Sequence, residues 1–180
     1  MRMQFRRRRE QKTNYHARLT LIKSGKPRMV VRTSISHATV QFIKWYAKGD
    51  MTIASATTAE LHKFGWKPPT GNVPAAYLVG LLAGMRAKAA GISAAVLDIG
   101  LATSTPGSRL YAALKGVLDT GINVPHSSDM LPSEDRINGK HIAEFALSAQ
   151  KPAFSKYGIS ASELPKHVAE VKAKIMQAKG

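Results

Sequence analysis

The sequence of 180 residues contains no cysteine. Disulfides and thiolate metal sites are therefore excluded, and the absence fits a reducing compartment such as the cytoplasm. Histidines are present, but their positions show none of the short spacings that metal ligands need. They are His16, His37, His62, His126, His141 and His167. The sequence predicts neither a metal site nor a cofactor.

Acidic residues are few, 11 against 27 lysines and arginines. A nuclease on an α/β sheet needs several carboxylates that converge on Mg²⁺. The predicted core offers only Asp50 in a turn, Asp98 near a strand end and Asp119 at a helix end. Asp98 is the best single candidate for a site, although hydrogen bonding in its own loop is the favoured role. Because no serine has a neighbouring base in a nucleophile pattern either, we predict no catalytic residue.

Long apolar runs are also missing. The most apolar stretch, Pro74 to Met85, is too short to span a bilayer and is followed by Arg86 and Lys88. The N-terminus has no apolar region of the kind that a secretory signal needs. We expect a protein without a membrane partner.

Positive charge is what the sequence has in excess. The formal net charge is +16, and residues 1–50 hold 13 basic and 2 acidic side chains, or +11. The remaining 130 residues therefore carry only +5. Charge that is polarised towards one end of a chain is typical of a surface that binds nucleic acid.

This charge is densest in an N-terminal arm, residues 1–16. Four consecutive arginines repel one another and cannot be buried, so we expect the arm to stay extended and solvated until a polyanion neutralises it. Arginine holds phosphate oxygens bidentately, and Phe5, Tyr15 and His16 offer flat faces to unpaired bases. A solvated basic terminus and a sorting signal are the alternative interpretations. The cations of the arm are Arg6, Arg7, Arg8, Arg9 and Lys12.

Alternation of apolar and polar residues predicts a β-hairpin behind the arm. Its strands are Arg18 to Lys23 and Arg28 to Thr33, joined by a turn at residues 24–27. The polar face would carry Arg18, Arg28 and Arg32 towards RNA, with an ordinary solvent-facing surface as the alternative.

Two further strands extend this hairpin. Ala38 to Ala47 and Met51 to Ala56 would complete a four-stranded antiparallel meander. Trp45 and Tyr46 lie at the end of the first of these strands. We assign them to core or edge packing in preference to base stacking.

Helical periodicity begins after the meander. Asn72 predicts the N-cap of a helix over residues 73–90, in which Gly80 and Gly84 permit close approach to the sheet. The apolar run Ala94 to Ile99 predicts a strand buried on both faces, reached by a crossover and therefore parallel to its neighbour. A second helix runs from Ser108 to Thr120. The fold class is α/β, with three layers and a mixed sheet.

We divide the chain into the arm at residues 1–16, an α/β core at 17–124 and an appendix at 125–180. The appendix is expected to be a loop followed by helices. Its last helix has a narrow apolar stripe of the kind that docks on one surface, consisting of Leu164, Val168, Val171 and Ile175.

The entry to the second core helix is a candidate phosphate site. Residues 103–109 can present backbone N–H groups to a phosphate, but they lack the lysine and spacing of a nucleotide-binding P-loop. Arg109 lies just inside the helix N-terminus, where a cation is unfavourable without an anion nearby. An RNA phosphate is the favoured partner, and a carboxylate from Asp98 or from the tail is the alternative.

Four blocks of the sequence carry a family resemblance: FRRRREQKTNYHARL, SGKPRMVVRTS, GWKPPTGNVPAAYLVGLLAG and TPGSRLYAALKGVLDTGINVPHS. They resemble the large-subunit ribosomal protein that binds 5S rRNA, in its archaeal and eukaryotic type, called the L-eighteen family in archaea and bacteria. The resemblance covers roughly residues 2–150. The tail from about residue 151 is similar to the shorter archaeal form.

This resemblance implies a structural, non-catalytic role on the ribosome in the cytoplasm. Family members join 5S rRNA to the large-subunit rRNA at the central protuberance and touch neighbouring large-subunit ribosomal proteins. An RNA-processing enzyme and a chromatin-like DNA-binding protein are the alternative function classes. Carried over by position, the RNA-contacting residues are Arg6, Arg7, Arg8, Arg9, Lys12, Tyr15, Arg18, Arg28 and Arg32.

Overall fold

The computed structural model describes residues 3–149 and 158–178. Its centre is a sheet of four strands: β1 (Arg28–Thr33), β2 (Ala38–Lys44), β3 (Met51–Thr57) and β4 (Val96–Asp98). Their spatial order is β3-β2-β1-β4. The first three strands form an antiparallel meander, and β4 pairs parallel to β1. The predicted mixed sheet and its crossover are confirmed, but the meander has three strands where four were predicted.

Helices cover both sides of this sheet. α3 and α4 pack on each other and on one face, α7 packs on α3, and α2 lies near β4 on the other side. This arrangement confirms the predicted three-layer α/β fold. The α-helices of the described residues are α1 (Arg6–Arg9), α2 (Tyr15–Lys23), α3 (Val73–Ala89), α4 (Arg109–Leu118), α5 (Glu134–Asn138), α6 (Lys140–Ala149) and α7 (Leu164–Gln177).

The face of the sheet that meets α3 and α4 is apolar. Side chains alternate between the two faces of a strand, so every second residue of β1 and β2 points to the helices. Met29 pairs with Phe42 and Val31 with Val40, and all four are completely buried. The intervening residues of β1 point to the opposite face.

The segment Arg18 to Lys23 is helical, so its prediction as a strand was wrong. α2 begins directly after Asn14, whose side chain accepts the N–H groups of His16 and Ala17, each at 3.1 Å. Such an N-cap satisfies amide groups at the start of a helix. The alternating leucines misled the prediction because α2 buries no residue and therefore shows no helical apolar stripe. The predicted hairpin with β1 is replaced by a helix that leads into the sheet.

The arginine run was predicted to be extended, and it forms the single helical turn α1. The Glu10 N–H group donates to the Arg6 carbonyl at 3.0 Å. The Glu10 carboxylate also pairs with Arg6 at 3.1 Å and with Lys12 at 3.0 Å, which offsets part of the repulsion between the cations. Gln11, at a φ of 51°, then redirects the chain towards α2. All four arginines are exposed, as expected.

The helix over residues 73–90 is confirmed as α3, and the Asn72 side chain caps it by accepting the Ala75 N–H at 2.9 Å. Its two glycines permit close approach, but to α4 and the turn after it instead of to the sheet. A Cβ atom at Gly80 would collide with the carbonyl group of Ala113, and one at Gly84 would collide with Thr120. This close approach makes α3 and α4 one packed pair.

The strands β2 and β4 are both shorter than predicted. Pairing of β2 with β3 ends at Lys44 opposite Met51, so Trp45 and Tyr46 lie beyond the sheet, 51% and 41% exposed. Their assignment to core or edge packing was therefore wrong. β4 is an edge strand and keeps partly exposed residues, so the predicted burial on both of its faces was also wrong.

The last helix, α7, docks through the predicted stripe. His167 on the same helix stacks on the buried Trp66 with ring centroids 5.4 Å apart, and its Nε2 atom accepts the Lys67 N–H at 3.4 Å. The described residues of the range 125–180 thus contribute to the common core, and the separation of this range as an appendix stays a prediction; residues 150–157 and 179–180 lie outside the described residues. The stripe residues, each at most 1% exposed, are Leu164, Val168, Val171 and Ile175.

Candidate nucleic-acid interface

The cations of the arm are open to solvent. Arg6 keeps 80% of its side chain exposed, and Lys12 keeps 61%. Arg7 is oriented by a hydrogen bond from its Nε atom to the Thr13 hydroxyl at 2.9 Å. Between residues 6 and 12, five cations face the single carboxylate of Glu10. The arm therefore presents uncompensated positive charge.

Helix α2 connects the arm to the sheet through one ion pair. Arg18 donates from Nη2 to the Oδ2 atom of Asp50 at 2.8 Å. Asp50 directly precedes β3, so the contact joins α2 to the β2–β3 connection. It holds the base of the arm beside the polar face of the sheet.

A groove of about 800 Å³ lies between the arm and that polar face. An adjoining hollow of about 450 Å³ includes Arg8 and Tyr15. Seven of the nine predicted RNA-contacting residues thus line one of the two concavities, and Arg6 and Arg9 lie exposed on α1 beside them. The predicted residues that line the larger groove are Arg7, Lys12, Arg18, Arg28 and Arg32.

A ladder of ion pairs forms the floor of the groove. Asp50 Oδ2 accepts from Arg28 Nη2 at 2.6 Å as well as from Arg18. Arg28 Nη1 donates to Asp98 Oδ2 at 2.7 Å, and Arg32 Nη2 donates to Asp98 Oδ1 at 2.9 Å. Three arginines and two carboxylates therefore alternate, and the ladder carries a net charge of +1.

Arg28 is the buried member of this ladder. It is 5% exposed, although the sequence placed it on an exposed polar face together with Arg18 and Arg32. The parallel pairing of β4 with β1 explains the difference, because it sets Asp98 beside Arg28 on the same face. A buried cation needs such partners to offset the loss of water.

Asp98 is held in its ionised form. Burial raises the pKa of this carboxyl group, but hydrogen bonds and charge from Arg32 and Arg28 outweigh burial and keep the pKa below its ordinary value. Its Oδ1 atom also accepts the Gly100 N–H at 2.9 Å, so the expected role in loop hydrogen bonding is confirmed. Sequence reasoning missed the ion pairs of Asp98. The available signal was the predicted parallel crossover, which brings a strand-end carboxylate next to β1.

The arm also carries two aromatic rings that lie close together. Phe5 and Tyr15 approach to 5.1 Å between ring centroids at an interplanar angle of 44°. Phe5 is 68% exposed, so this ring pair leaves apolar surface open to solvent. An unpaired base has a π-face that can stack on such a ring.

Arg109 has partners within the protein that the sequence did not predict, and the phosphate stays a prediction. Its Nη1 atom donates to the carbonyl oxygens of Ser34 at 2.8 Å, Gly71 at 3.0 Å and Ile35 at 3.3 Å. These acceptors belong to the β1–β2 turn and to the loop before α3. Nη1 of Arg109 thus has acceptors without Asp98, and its hydrogen bonds tie two loops to α4.

Other kinds of site find no support in the described ranges 3–149 and 158–178. There, no group of three or more histidine, aspartate or glutamate side chains is placed to hold a metal ion. Within the same ranges, no helix has the length and apolar character needed to cross a membrane.

Comparison with known proteins gives a consistent result. The family described as "Ribosomal large subunit proteins 60S L5, and 50S L18" matches residues 1–93 and 87–127. The large ribosomal subunit protein uL18 of Natronomonas pharaonis is 51% identical over 170 residues, which cover 94% of this chain and 92% of the relative. That of Halobacterium salinarum is 51% identical over 172 residues, with 96% and 93% covered. That of Caldivirga maquilingensis is 50% identical over 186 residues, with 97% and 90% covered.

The family match spans the basic arm, the sheet, α3 and α4, and it agrees with the resemblance noted in the sequence. The relatives are archaeal, and each is matched over nearly its full length. The chain belongs to the uL18 family of large ribosomal subunit proteins, a structural and non-enzymatic family.

Proposed function

We propose that this chain binds 5S rRNA and attaches it to the large-subunit rRNA at the central protuberance, in contact with neighbouring large-subunit ribosomal proteins. The observation that carries the proposal is the cationic groove, where the arm and the polar face of the sheet bring together five cations and only two carboxylates. Family membership supports rRNA as the polyanion that neutralises them.

The helical turn of α1 supports contacts with more than one RNA segment. Consecutive residues of an α-helix point in directions about 100° apart. The guanidinium groups of Arg6, Arg7, Arg8 and Arg9 therefore cannot all face a single flat surface. A helical turn inserted between two RNA segments would offer arginines to the phosphates of both, as a protein that joins two RNA molecules requires.

The remaining predicted RNA-contacting residues differ in the exposed fraction of their side chains. Lys12 and Arg32 have half or more of their side chains exposed, and Arg18 has about a third, so they can reach phosphate oxygens in the groove. Tyr15 offers its ring to an unpaired base. Arg28 is buried and acts indirectly, because its two carboxylate partners also orient Arg18 and Arg32.

A competition assay tests the proposal. Labelled 5S rRNA bound to the full chain is challenged at one fixed salt concentration with unlabelled 5S rRNA and with duplex DNA of equal phosphate content. We expect 5S rRNA to compete far better than DNA, since a groove with stacking rings fits unpaired bases as well as phosphates. Equal competition by DNA would favour a chromatin-like binder, and Mg²⁺-dependent cleavage of the RNA in the same tubes would favour a processing enzyme.

A further inference from the structure

The β2–β3 connection and the first residue of β3 expose an aromatic patch, which we define as Trp45, Tyr46 and the neighbouring Met51. These side chains are 51%, 41% and 52% exposed. The connection has a defined shape, because the Gly49 N–H donates to the Tyr46 carbonyl at 3.0 Å and closes a turn. Large apolar side chains grouped at the tip of an ordered connection add nothing to the core, and such grouped exposure typically marks a binding surface.

Positive charge surrounds this aromatic patch. The Lys44 Nζ atom lies 5.5 Å from the centre of the Tyr46 ring, and Lys48 is exposed in the same connection. The nearest acidic residue in sequence is Asp50, whose Oδ2 atom already accepts from Arg18 and Arg28. The patch therefore combines π-faces with two lysines, and the one carboxylate of the connection is already paired with Arg18 and Arg28.

The aromatic patch also adjoins the cationic groove through Asp50. Asp50 lines the groove, and it is separated from Tyr46 by only three residues of the turn. An RNA strand that leaves the groove along Arg18 would therefore meet the exposed rings next. This continuity distinguishes Trp45 from the other tryptophan, Trp66, which is 1% exposed and stacked on His167.

We propose that Trp45 and Tyr46 form a stacking platform for unpaired RNA bases, with Lys44 and Lys48 contacting the adjoining phosphates. This inference rests on the proposed rRNA binding and adds to it a site separate from the arm. RNA suits the patch because each nucleotide brings a base and a phosphate together. An apolar protein surface would instead leave both lysines without a partner for their charge. The base can come from 5S rRNA or from the large-subunit rRNA.

Binding to each RNA in separate titrations tests the proposal with the full chain. For the RNA that supplies the base, Trp45→Ala should weaken binding between about 5-fold and about 150-fold, the range for loss of one stacked base. The dependence of affinity on salt should stay unchanged, because no phosphate contact is lost. Tyr46→Ala should behave in the same way, while Trp45→Phe should retain most of the affinity.

Fluorescence gives a direct readout in the unmodified protein. Trp45 and Trp66 are the two tryptophans, and Trp45→Phe reports the signal of Trp66 alone. The emission of Trp45, obtained as the difference, should be quenched when RNA is added. Ile35→Ala is the matched control, because Ile35 is 94% exposed in a different turn and should leave binding unchanged.

Three outcomes would overturn the proposal. One is unchanged affinity of Trp45→Ala and Tyr46→Ala for both RNAs together with unquenched Trp45 emission. Another is normal RNA binding by these variants with loss of incorporation into ribosomal subunits, which would identify a protein-docking surface. The third is failure of the unmodified chain to bind either RNA, which would refute the proposed function itself. If Trp45→Ala lowers the melting temperature, Trp45→Phe, which keeps an aromatic ring, separates the loss of stability from the loss of stacking.

Discussion

Consecutive residues of β1 point to opposite faces of the sheet, and their surroundings differ. Met29 and Val31 are completely buried among the helices, whereas Arg32 keeps half of its side chain in solvent above the groove. Burial of apolar surface stabilises a fold by about 25 cal/mol per Å². An exposed ion pair contributes only about 0–1 kcal/mol. Stability should therefore depend on one face, and RNA binding on the other.

Arg28 shows that the division follows burial more closely than it follows the face of the sheet. It points to the polar face with Arg32, yet it is as buried as a core residue and is held by two carboxylates. Removing one of its partners should destabilise the protein in the way that a core substitution does. The losses of stability caused by substitution should therefore decrease from the helical layer, through the ladder and Arg109, to the arm.

The largest effect is expected in the helical layer. Leu114→Ala on α4 should lower the free energy of unfolding by about 2–5 kcal/mol, because Leu114 is 0% exposed and the close α3–α4 contact limits relaxation around the cavity. Denaturant unfolding measures the change. Affinity for 5S rRNA at a temperature where the variant is folded should be unchanged, and a specific loss of affinity would contradict the division.

Asp98→Asn should destabilise the protein by about 3 kcal/mol. The substitution removes the charge opposite the buried Arg28, and breaking a buried pair typically costs about 3–5 kcal/mol. We place the effect at the lower end because Asp50 still accepts from the other guanidinium nitrogen. Asp129→Asn, at an exposed turn, is the matched control and should change stability by less than about 0.5 kcal/mol. Equal effects of the two substitutions would show that the ladder is not structural.

The same carboxylate predicts a loss of stability in acid. Burial raises the pKa of Asp98, but Arg32 and Arg28 hold it below its ordinary value of 3.8. Since the pKa is lower in the folded than in the unfolded state, the contribution is complete above pH 3.8 and is lost as the pH falls through the folded pKa. Unfolding measured between neutral pH and pH 2 should show a smaller acid-induced loss in Asp98→Asn than in the unmodified chain. Parallel curves for the two proteins would exclude this carboxylate as a source of the loss.

Arg109→Ala should have a smaller effect, about 1.5 kcal/mol. Its guanidinium group donates to three carbonyl oxygens, and hydrogen bonds that involve a charged group contribute about 1.5–3 kcal/mol. The lower value is expected because the side chain remains partly exposed. Lys115→Ala, which removes a partly exposed pair with Asp119 at the end of the same helix, is the control and should cost about 0.5 kcal/mol or less. If Arg109→Ala impaired RNA binding without lowering stability, the phosphate expected from the sequence would be its partner after all.

The apolar periodicity and the capping of helices were interpreted correctly from the sequence. The stripe Leu164, Val168, Val171 and Ile175 lies in the core, and Asn72 caps α3, because periodicity and capping are local properties of a helix. The crossover to a parallel strand also followed from the order of elements. The candidate arginines of the arm were placed correctly on the surface by their charge alone.

Features that depend on contacts between distant residues were not predictable in this way. α2 lacks buried residues, so its alternating leucines imitated a strand. The burial of Arg28 depends on Asp98, 70 residues away, and the role of Arg109 depends on carbonyl groups up to 75 residues away. Trp45 resembled a core residue because aromatic side chains are usually buried. Its exposure follows from where the pairing of β2 and β3 ends.

The arm should contribute least to the stability of the fold, because α1 and α2 bury no residue. Replacing Arg6, Arg7, Arg8 and Arg9 together by alanine should leave the thermal unfolding of the free protein almost unchanged. The corresponding control replaces Lys166 and Lys174, which are exposed on α7 and do not line the groove, by glutamine. That control should preserve both stability and the salt dependence of RNA binding.

The salt dependence of 5S rRNA affinity tests the central claim most directly. If the arm and groove neutralise roughly 6–10 phosphates, affinity should fall by about 10³-fold to 10⁵-fold between 50 and 200 mM salt. Loss of the four arginines should reduce the slope of log affinity against log salt by about 3, at roughly 0.7–0.9 for each phosphate contact. An unchanged slope, with thermal unfolding also unchanged, would show that the arm does not face phosphates and would contradict the account.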